Sequence, residues 1–365
     1  MRSPRIKVLR PQCNERKGPT PCLMTEVQRA TIQDVALLAG LSICTVSRAL
    51  RGLPNVSESA QGRVAGAAAK LGYVASAAAS RLAGGSTRSV AIITPTATTW
   101  FFAHAVEAAE QVFADSGLDT MLISLRNDPS VHSRIFGDLP GLAQKVDGVL
   151  LINVELTDGQ IQALAASSLA VASVGMYDVP WDNVGIDNVL AARMATGHLL
   201  DLGHWDLAIL CDREKGSRSV LTASDRLRGF TEALTDHDLT VDADLVVNAP
   251  STIDGGRQAM TELIENRRMP TAVFAGCDET AFGAMAALRE HGLSAPKNMS
   301  IVGLDEHPMS DFLGLSTVQQ PVADQGAFGA NLLVDRLHKP DSAPEPANHL
   351  LPTSLMARSS SRRRR

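Results

Sequence analysis

The strongest constraint on the fold is an alternation that runs through most of the chain: a short apolar run, then a stretch with helical period, repeated. Strand candidates are Ser89–Pro95 (SVAIITP), Thr120–Ser124, Gly148–Ile152, Ala170–Gly175, Leu207–Cys211, Ala272–Ala275 and Ser300–Leu304. Amphipathic stretches of about 10–15 residues separate them, the first near Phe102–Ser116, while 176–188 reads as a loop. Apolar strands alternating with helices form parallel sheets covered on both faces. At least six such units are too many for one sheet domain, so the pattern predicts two packed, doubly wound α/β subdomains. Ligands of such a core bind in the crevice facing the strand C-termini.

Composition narrows the class. A chain of 365 residues, 45% hydrophobic and 20% charged, suits a soluble protein of two or three domains. No run approaches the roughly 18 apolar residues of a membrane span, and the N-terminus has no apolar signal core. The expected setting is the cytoplasm, with no membrane partner. Cys13, Cys22, Cys44, Cys211 and Cys277 are scattered and lack ligand spacing, which predicts neither a disulfide framework nor a metal site. There is no G-x-S-x-G, Walker or H-E-x-x-H string, so no catalytic residue and no cofactor are expected. A sugar- or nucleoside-binding α/β protein with an enzymatic or transport role is the alternative.

Charge is uneven. Residues 1–90 hold 13 Lys/Arg against 4 Asp/Glu, whereas 91–365 hold 21 against 35, even with Arg362–Arg365 at the end. A basic front on an acidic body fits a phosphate-binding head joined to a domain of another kind, although part of the excess lies in 1–29, a polar segment that reads as disordered.

The front has its own pattern. Thr31 can cap a helix whose apolar positions are Ile32, Val35, Ala36 and Ala39. Gly40 ends that helix, Leu41 plugs the core, and Ser42 caps a second helix over 43–50. Val46 with Ala49 or Leu50 faces inward, leaving Ile43, Cys44, Ser47 and Arg48 outside. Ser57 opens a third helix with Val64, Ala68 and Leu71 on its inner face. This is the spacing of a helix-turn-helix, but by spacing alone a plain small helical bundle is the better-served reading.

The residue strings decide between them. Thr31-Ile-Gln-Asp-Val-Ala-Leu-Leu-Ala-Gly-Leu-Ser42, Thr45-Val-Ser-Arg48 and Gly72-Tyr73 closely resemble the LacI/GalR family of transcription regulators. The likeness continues in Leu202-Gly-His204, Asp225-Arg-Leu-Arg-Gly-Phe230, the stretch Cys277 to Met285, Ile301-Val-Gly-Leu-Asp305 and Leu355-Met-Ala-Arg-Ser359. It implies a DNA-binding regulator, commonly a repressor, with a periplasmic-binding-protein-like core. Ile43, Cys44 and Arg48 would read base edges, with Arg48 suited to a bidentate pair on guanine. Ser42, Thr45 and Ser47 would take phosphates. Asn55 and Ser57 would add backbone contacts, and Thr31 belongs to the same surface. Arg51 stands where the family often has Asn.

Residues 76–84 (SAAASRLAG) resemble the family's hinge helix, in which Leu82, with Ala79 one turn earlier, would wedge into the minor groove. The family's Pro-Asn at the hinge start is Ala75-Ser76 here, and nine such residues alone are too few to hold a helix in water. In the core the resemblance assigns Arg226 and Asp305 to the effector, as a guanidinium fork and a carboxylate for ligand hydroxyls. Trp100 and Phe101 could stack on a ring, with core packing the equal reading for Phe102. Asp278, Cys277 (where the family has Asn), Thr222, Ser224 and Gln320 complete the expected lining. The implied partners are near-palindromic operator DNA, a small molecule with carbohydrate as the leading class, and a second copy of the chain, with a tetramer left open.

The expected organisation is an extension over 1–29, the DNA-binding domain over 30–74, a hinge over 75–88, the core over 89–360 and a basic tail over 361–365. Within the core, 89–188 and 321–345 would form one subdomain, and 189–320 and 346–360 the other.

Overall fold

The computed structural model describes residues 30–50, 56–73, 86–212, 222–338 and 345–364. The chain divides into two compact units, the second starting at Ser86.

The first unit is built from α1 (Ile32–Ala39), α2 (Ile43–Leu50) and α3 (Glu58–Leu71). Short-range caps set each start. The Thr31 backbone N–H donates to Asp34 Oδ2 (2.8 Å) while Thr31 Oγ1 accepts from the Asp34 N–H (3.4 Å), a capping box. Ser42 Oγ accepts from the Thr45 N–H (3.1 Å), and Ser57 Oγ from the Ala60 N–H (3.3 Å). Gly40 ends α1 at φ 59°, where a side chain is disfavoured, and the axis turns by 103° into α2. Val35, Ala36, Ala39, Val46, Val64 and Ala67 close the core. Leu71, expected inside, is exposed: α3 ends one residue later at left-handed Gly72, and its last turn has outrun the two short helices that could cover it.

The second unit holds two six-stranded sheets. The first has the order β11-β5-β4-β3-β1-β2, with β1 (Ser89–Thr94), β2 (Asp119–Ser124), β3 (Gly148–Ile152), β4 (Ala170–Val174), β5 (Asp182–Ile186) and β11 (Asn348–Leu351), all parallel. The second has the order β12-β10-β9-β8-β6-β7, with β6 (Leu207–Cys211), β7 (Val246–Asn248), β8 (Ala272–Ala275), β9 (Ser300–Asp305), β10 (Ser316–Gln319) and β12 (Ser354–Met356). Here only β12 runs antiparallel, against β10. Successive residues explain the two-sided runs: Val90 and Ile92 pack under α4 (Trp100–Asp115) and α13 (Val322–His338), while Ala91 and Ile93 face α5 (Pro129–Phe136), α6 (Leu139–Ala143) and α7 (Asp158–Ala165). The second sheet is covered by α8 (Asn188–Asp201) and α9 (Thr222–Thr235) on one face and by α10 (Ile253–Glu265) and α11 (Asp278–Glu290) on the other.

Three expectations need correction. The segment expected as a loop contains β5, whose Asp182, Asn183 and Gly185 hide the apolar signal of a strand. The stretch after 345 does not pass straight into the second lobe: β11 first pairs with β5 in the first sheet, and the chain crosses only before β12. The supposed basic tail is docked at its described residues. The Arg362 N–H donates to Ser300 Oγ (3.2 Å), Arg362 Nη2 to Lys297 O (2.7 Å) and the Arg364 N–H to Leu202 O (2.9 Å). Its arginines stay outside while its backbone is held, a separation that charge counting does not register.

Candidate functional site

In the first unit, packing commits one face of α2 to the core and leaves the other outside. Val46 is its one fully buried side chain. Ser42, Ile43 and Cys44 are exposed, and Thr45, Ser47 and Arg48 are half-buried. Thr31 and Ser57 are exposed caps at the starts of α1 and α3. The turn between α1 and α2 falls in the roughly 90–120° range of helix-turn-helix motifs, so the outward face of α2 is presented as a reading helix requires. Arg51, Asn55, Ala79 and Leu82 lie outside the described residues.

In the core, the strand C-termini gather the polar chemistry. Arg226, nine-tenths buried as the fifth residue of α9, donates from Nε to Asn188 Oδ1 (2.9 Å) and from Nη1 to the carbonyl of Gly276, just beyond β8. Asn188 in turn donates to the Tyr177 hydroxyl (3.0 Å), and that hydroxyl bonds Asp225. Burial raises the Tyr177 phenol, and burial raises the Asp225 carboxyl against the pull of Arg228. Asp225 pairs with Arg228 at 3.1 Å, and among the described residues Arg226 has no ion pair and no partner on Nη2.

Asp305 closes β9 in a strained backbone, at φ 144° with Glu306 following at 63°. Its carboxylate accepts from Gln320 Nε2 (2.5 Å) and from the Asp278 N–H at the start of α11. Gln325 of α13 donates to Gln320 Oε1 (3.0 Å), so this carboxylate is linked to a helix of the first lobe. Burial and the neighbouring Asp278 push Asp305 up to about 7, with Arg226 pulling the other way. A buried carboxyl poised near neutrality is a common mark of a functional site.

Asp278 and Cys277 behave differently from expectation. Asp278 has no exposed surface, and its carboxylate accepts from the His307 N–H (2.8 Å), Ser310 Oγ (2.6 Å) and Thr317 Oγ1 (2.6 Å). It braces the loop after β9 instead of facing the crevice. Cys277 lies 3.1 Å from Thr280 Oγ1, and burial with the Asp305 charge pushes its thiol up to about 12. It stays a neutral thiol and leaves α11 without a side-chain cap.

The first lobe contributes rings. Trp100 opens α4, with its ring 4.6 Å from His104 and 5.0 Å from His307 of the other lobe, and Phe282 meets His307 edge-on at 5.2 Å. Phe101 and Phe102 stand in a T at 5.3 Å, half-buried against the first-lobe core. Two buried polar atoms at the ends of neighbouring strands have no partner among the described residues: Trp100 Nε1 after β1 and Asn153 Oδ1 after β3. Thr222 is half-buried and Ser224 exposed at the start of α9. Asn188, Tyr177, Asn153, Gln325 and His307 escaped the sequence reading. Asn188 alone had a usable signal, as the first residue of the helix after β5, and β5 itself went unread. Among the described residues no cluster of His, Cys, Asp or Glu is gathered to hold a metal, and no single helix is long and apolar enough to cross a membrane.

Comparison with known proteins covers both units. Residues 31–76 match the bacterial regulatory proteins of the lacI family, and 196–361 match the periplasmic binding protein-like domain. The HTH-type transcriptional repressor PurR of Glaesserella parasuis serovar 5 is 32% identical over 321 residues, 86% of this chain and 92% of its own. The transcriptional regulator CelR, solved with cellobiose, is 30% identical with a TM-score of 0.67, covering 91% of this chain and 100% of that one. The lac repressor dimer, solved with operator and the anti-inducer ONPF, is 25% identical with a TM-score of 0.76, covering 91% and 99%. From its helix-turn-helix to its crevice, therefore, this chain belongs to the lacI family: it is a DNA-binding transcription regulator that answers to a small-molecule effector.

Proposed function

We propose that two copies of the chain bind a near-palindromic operator as a homodimer in the cytoplasm and repress the adjacent gene. A carbohydrate or related polyol in the crevice modulates that binding. The observation that supports the effector half is a buried cation near a buried carboxyl, Arg226 with no partner on Nη2 among the described residues and Asp305 pushed up to about 7. A guanidinium donates to hydroxyl oxygens and a carboxylate accepts from hydroxyl protons, so a ligand with several hydroxyls suits both at once. Trp100 supplies a ring face for a pyranose or furanose. The likeness to a regulator solved with cellobiose supports this class, and the likeness to a repressor solved as a dimer on operator supports the assembly.

In this reading Ile43, Cys44 and Arg48 read bases, while Thr31, Ser42, Thr45, Ser47 and Ser57, with Arg51 and Asn55, hold the backbone. Leu82, with Ala79 beside it, wedges the centre of the site. Effector shifts the balance between two arrangements of the lobes only by its differential affinity for them.

The test is a mobility-shift and footprint assay on the promoter beside the protein's own gene, in cellobiose, ribose and a panel of nucleosides. We expect two protected half-sites about one helical turn or a multiple apart, and a tenfold or larger change in affinity with a sugar, roughly 1.4 kcal/mol. A nucleoside that moves the affinity where no sugar does would overturn the ligand class. Sedimentation of the complex distinguishes a dimer from a tetramer, and a monomer would overturn the assembly.

A further inference from the structure

Four polar side chains close a ring where the chain first crosses from one lobe of the core to the other. Tyr177 follows β4 and lies between Met176 and Val179, both packed into the first-lobe core. Asn188 is the first residue of α8, and Asp225 and Arg226 are neighbours in α9, so these three belong to the second lobe. Gly229 lies three residues beyond Arg226, on the same face of α9. It lets α9 approach α8 closely, since a Cβ there would lie 2.2 Å from the carbonyl oxygen of Val189. That approach sets Arg226 opposite Asn188.

Donor and acceptor types give the ring one direction. A guanidinium N–H can only donate, so Arg226 Nε meets the Asn188 amide at its oxygen (2.9 Å). The amide nitrogen is thereby turned to the Tyr177 hydroxyl, to which it donates (3.0 Å). With that donor on its oxygen, the hydroxyl gives its own proton to the Asp225 carboxylate. Asp225 also pairs with Arg228 (3.1 Å), not with Arg226 beside it. Arg226 is nine-tenths buried, yet it has no ion pair among the described residues. A buried guanidinium that served the fold alone would be paired, because an uncompensated buried charge is costly. The two ends of an amide have nearly the same shape, so only its hydrogen-bond partners fix which end faces Arg226. Asn188 is buried, and without the hydroxyl its NH2 group would be left unsatisfied, a state that favours turning the amide away from the arginine.

We infer that Tyr177 is a positioning residue for effector recognition: its hydroxyl orients the Asn188 amide, and the amide holds the Arg226 guanidinium in place for the ligand. The inference rests on the reading of Arg226 as an effector contact. Tyr177 itself touches no ligand in this scheme. It acts through two intervening hydrogen bonds, and it ties the arginine of the second lobe to the core of the first.

The experiment measures cellobiose and ribose binding by titration calorimetry on four full-length chains: wild type, Tyr177→Phe, Asn188→Asp and the double variant. Tyr177→Phe keeps the ring and removes one oxygen, and should weaken binding of the sugar that wild type takes by about tenfold. Asn188→Asp offers Arg226 an acceptor at either end of the group, so its orientation no longer matters. Adding Tyr177→Phe to that background should cost less than about twofold. A packing role would cost the same in both backgrounds, and that result would overturn the inference, as would a Tyr177→Phe chain that binds like wild type. A second readout needs no sugar. Hydrogen exchange at the Arg226 Nε–H, its NMR signal assigned by its loss in Arg226→Lys, should quicken about tenfold or more in Tyr177→Phe. Unchanged exchange would overturn the inference. If wild type binds neither sugar, or the Asn188→Asp chains do not fold, the exchange decides alone. Quickened exchange in a chain that takes no sugar would sink the carbohydrate reading and leave the positioning of Arg226 standing.

Discussion

The headpiece and the core carry their chemistry in opposite ways. In the headpiece the side chains proposed to meet DNA stand outside a minimal apolar core of six buried residues, and none of the six is polar. In the core the polar network is inside: Arg226, Asp225, Asp278, Asp305 and Gln320 are all buried and all held by partners from other elements. An outward residue changes what it touches without disturbing what holds the fold. An inward polar residue cannot be changed without leaving its partners unsatisfied. Function and stability should therefore separate cleanly in one unit and be entangled in the other.

Arg226→Ala should show the entanglement most strongly. It strips a donor from Asn188 and from the Gly276 carbonyl, and should cost about 2–4 kcal/mol in denaturant unfolding. It should also weaken effector binding about a hundredfold or more, with effector-free operator affinity nearly unchanged. Normal stability together with normal effector affinity would break the contrast. Arg48→Ala is the counterpart in the headpiece. Specificity between cognate and substituted operators should fall by about 1–3 kcal/mol, read by competition binding, while the melting transition stays in place.

A smaller effect follows from Asp305. Its folded value of about 7 lies above the ordinary 3.8, so between those limits the folded protein keeps a proton that the unfolded chain has lost. Stability from this group therefore falls as pH rises through that window. Effector hydroxyls need the carboxylate, so affinity should rise with pH up to about 7, by no more than about tenfold per unit. Asp305→Asn should flatten the profile, and a slope that survives in that variant would assign it to another group. Smallest of all, Thr31→Ala removes the cap of α1 and should lower headpiece stability by about 1 kcal/mol, with the core transition unmoved. A shift in both transitions would show that the two units unfold together.

The same division separates what was legible in the chain from what was not. The three headpiece helices were read from caps reaching only three residues, Thr31 to Asp34, Ser42 to Thr45 and Ser57 to Ala60. The strands β1, β3, β4, β6, β8 and β9 were read from runs buried on both faces. Arg226 and Asp305 were picked out by motif, and Asp305 also by its place at a strand end, whereas Arg226, expected just before a helix, lies inside one that starts four residues earlier. The strand β5 was missed because its Asp182 and Asn183 are satisfied from afar, by Arg336 154 residues away and by Asn348 165 residues away. Asp278 was misassigned for a related reason: nothing nearby announces that Ser310 and Thr317, 32 and 39 residues on, will occupy its carboxylate.

Apolar period and local caps thus settled, from the amino acids in order, that this chain makes a three-helix head and a doubly wound α/β body. Both signals act between neighbours along the chain. Which lobe receives β11, and which buried carboxylate braces a loop and which closes a strand at the crevice, were decided only in three dimensions. Each depends on a polar group buried beside a partner brought from far along the chain, and a desolvated group takes whatever partner folding delivers to it.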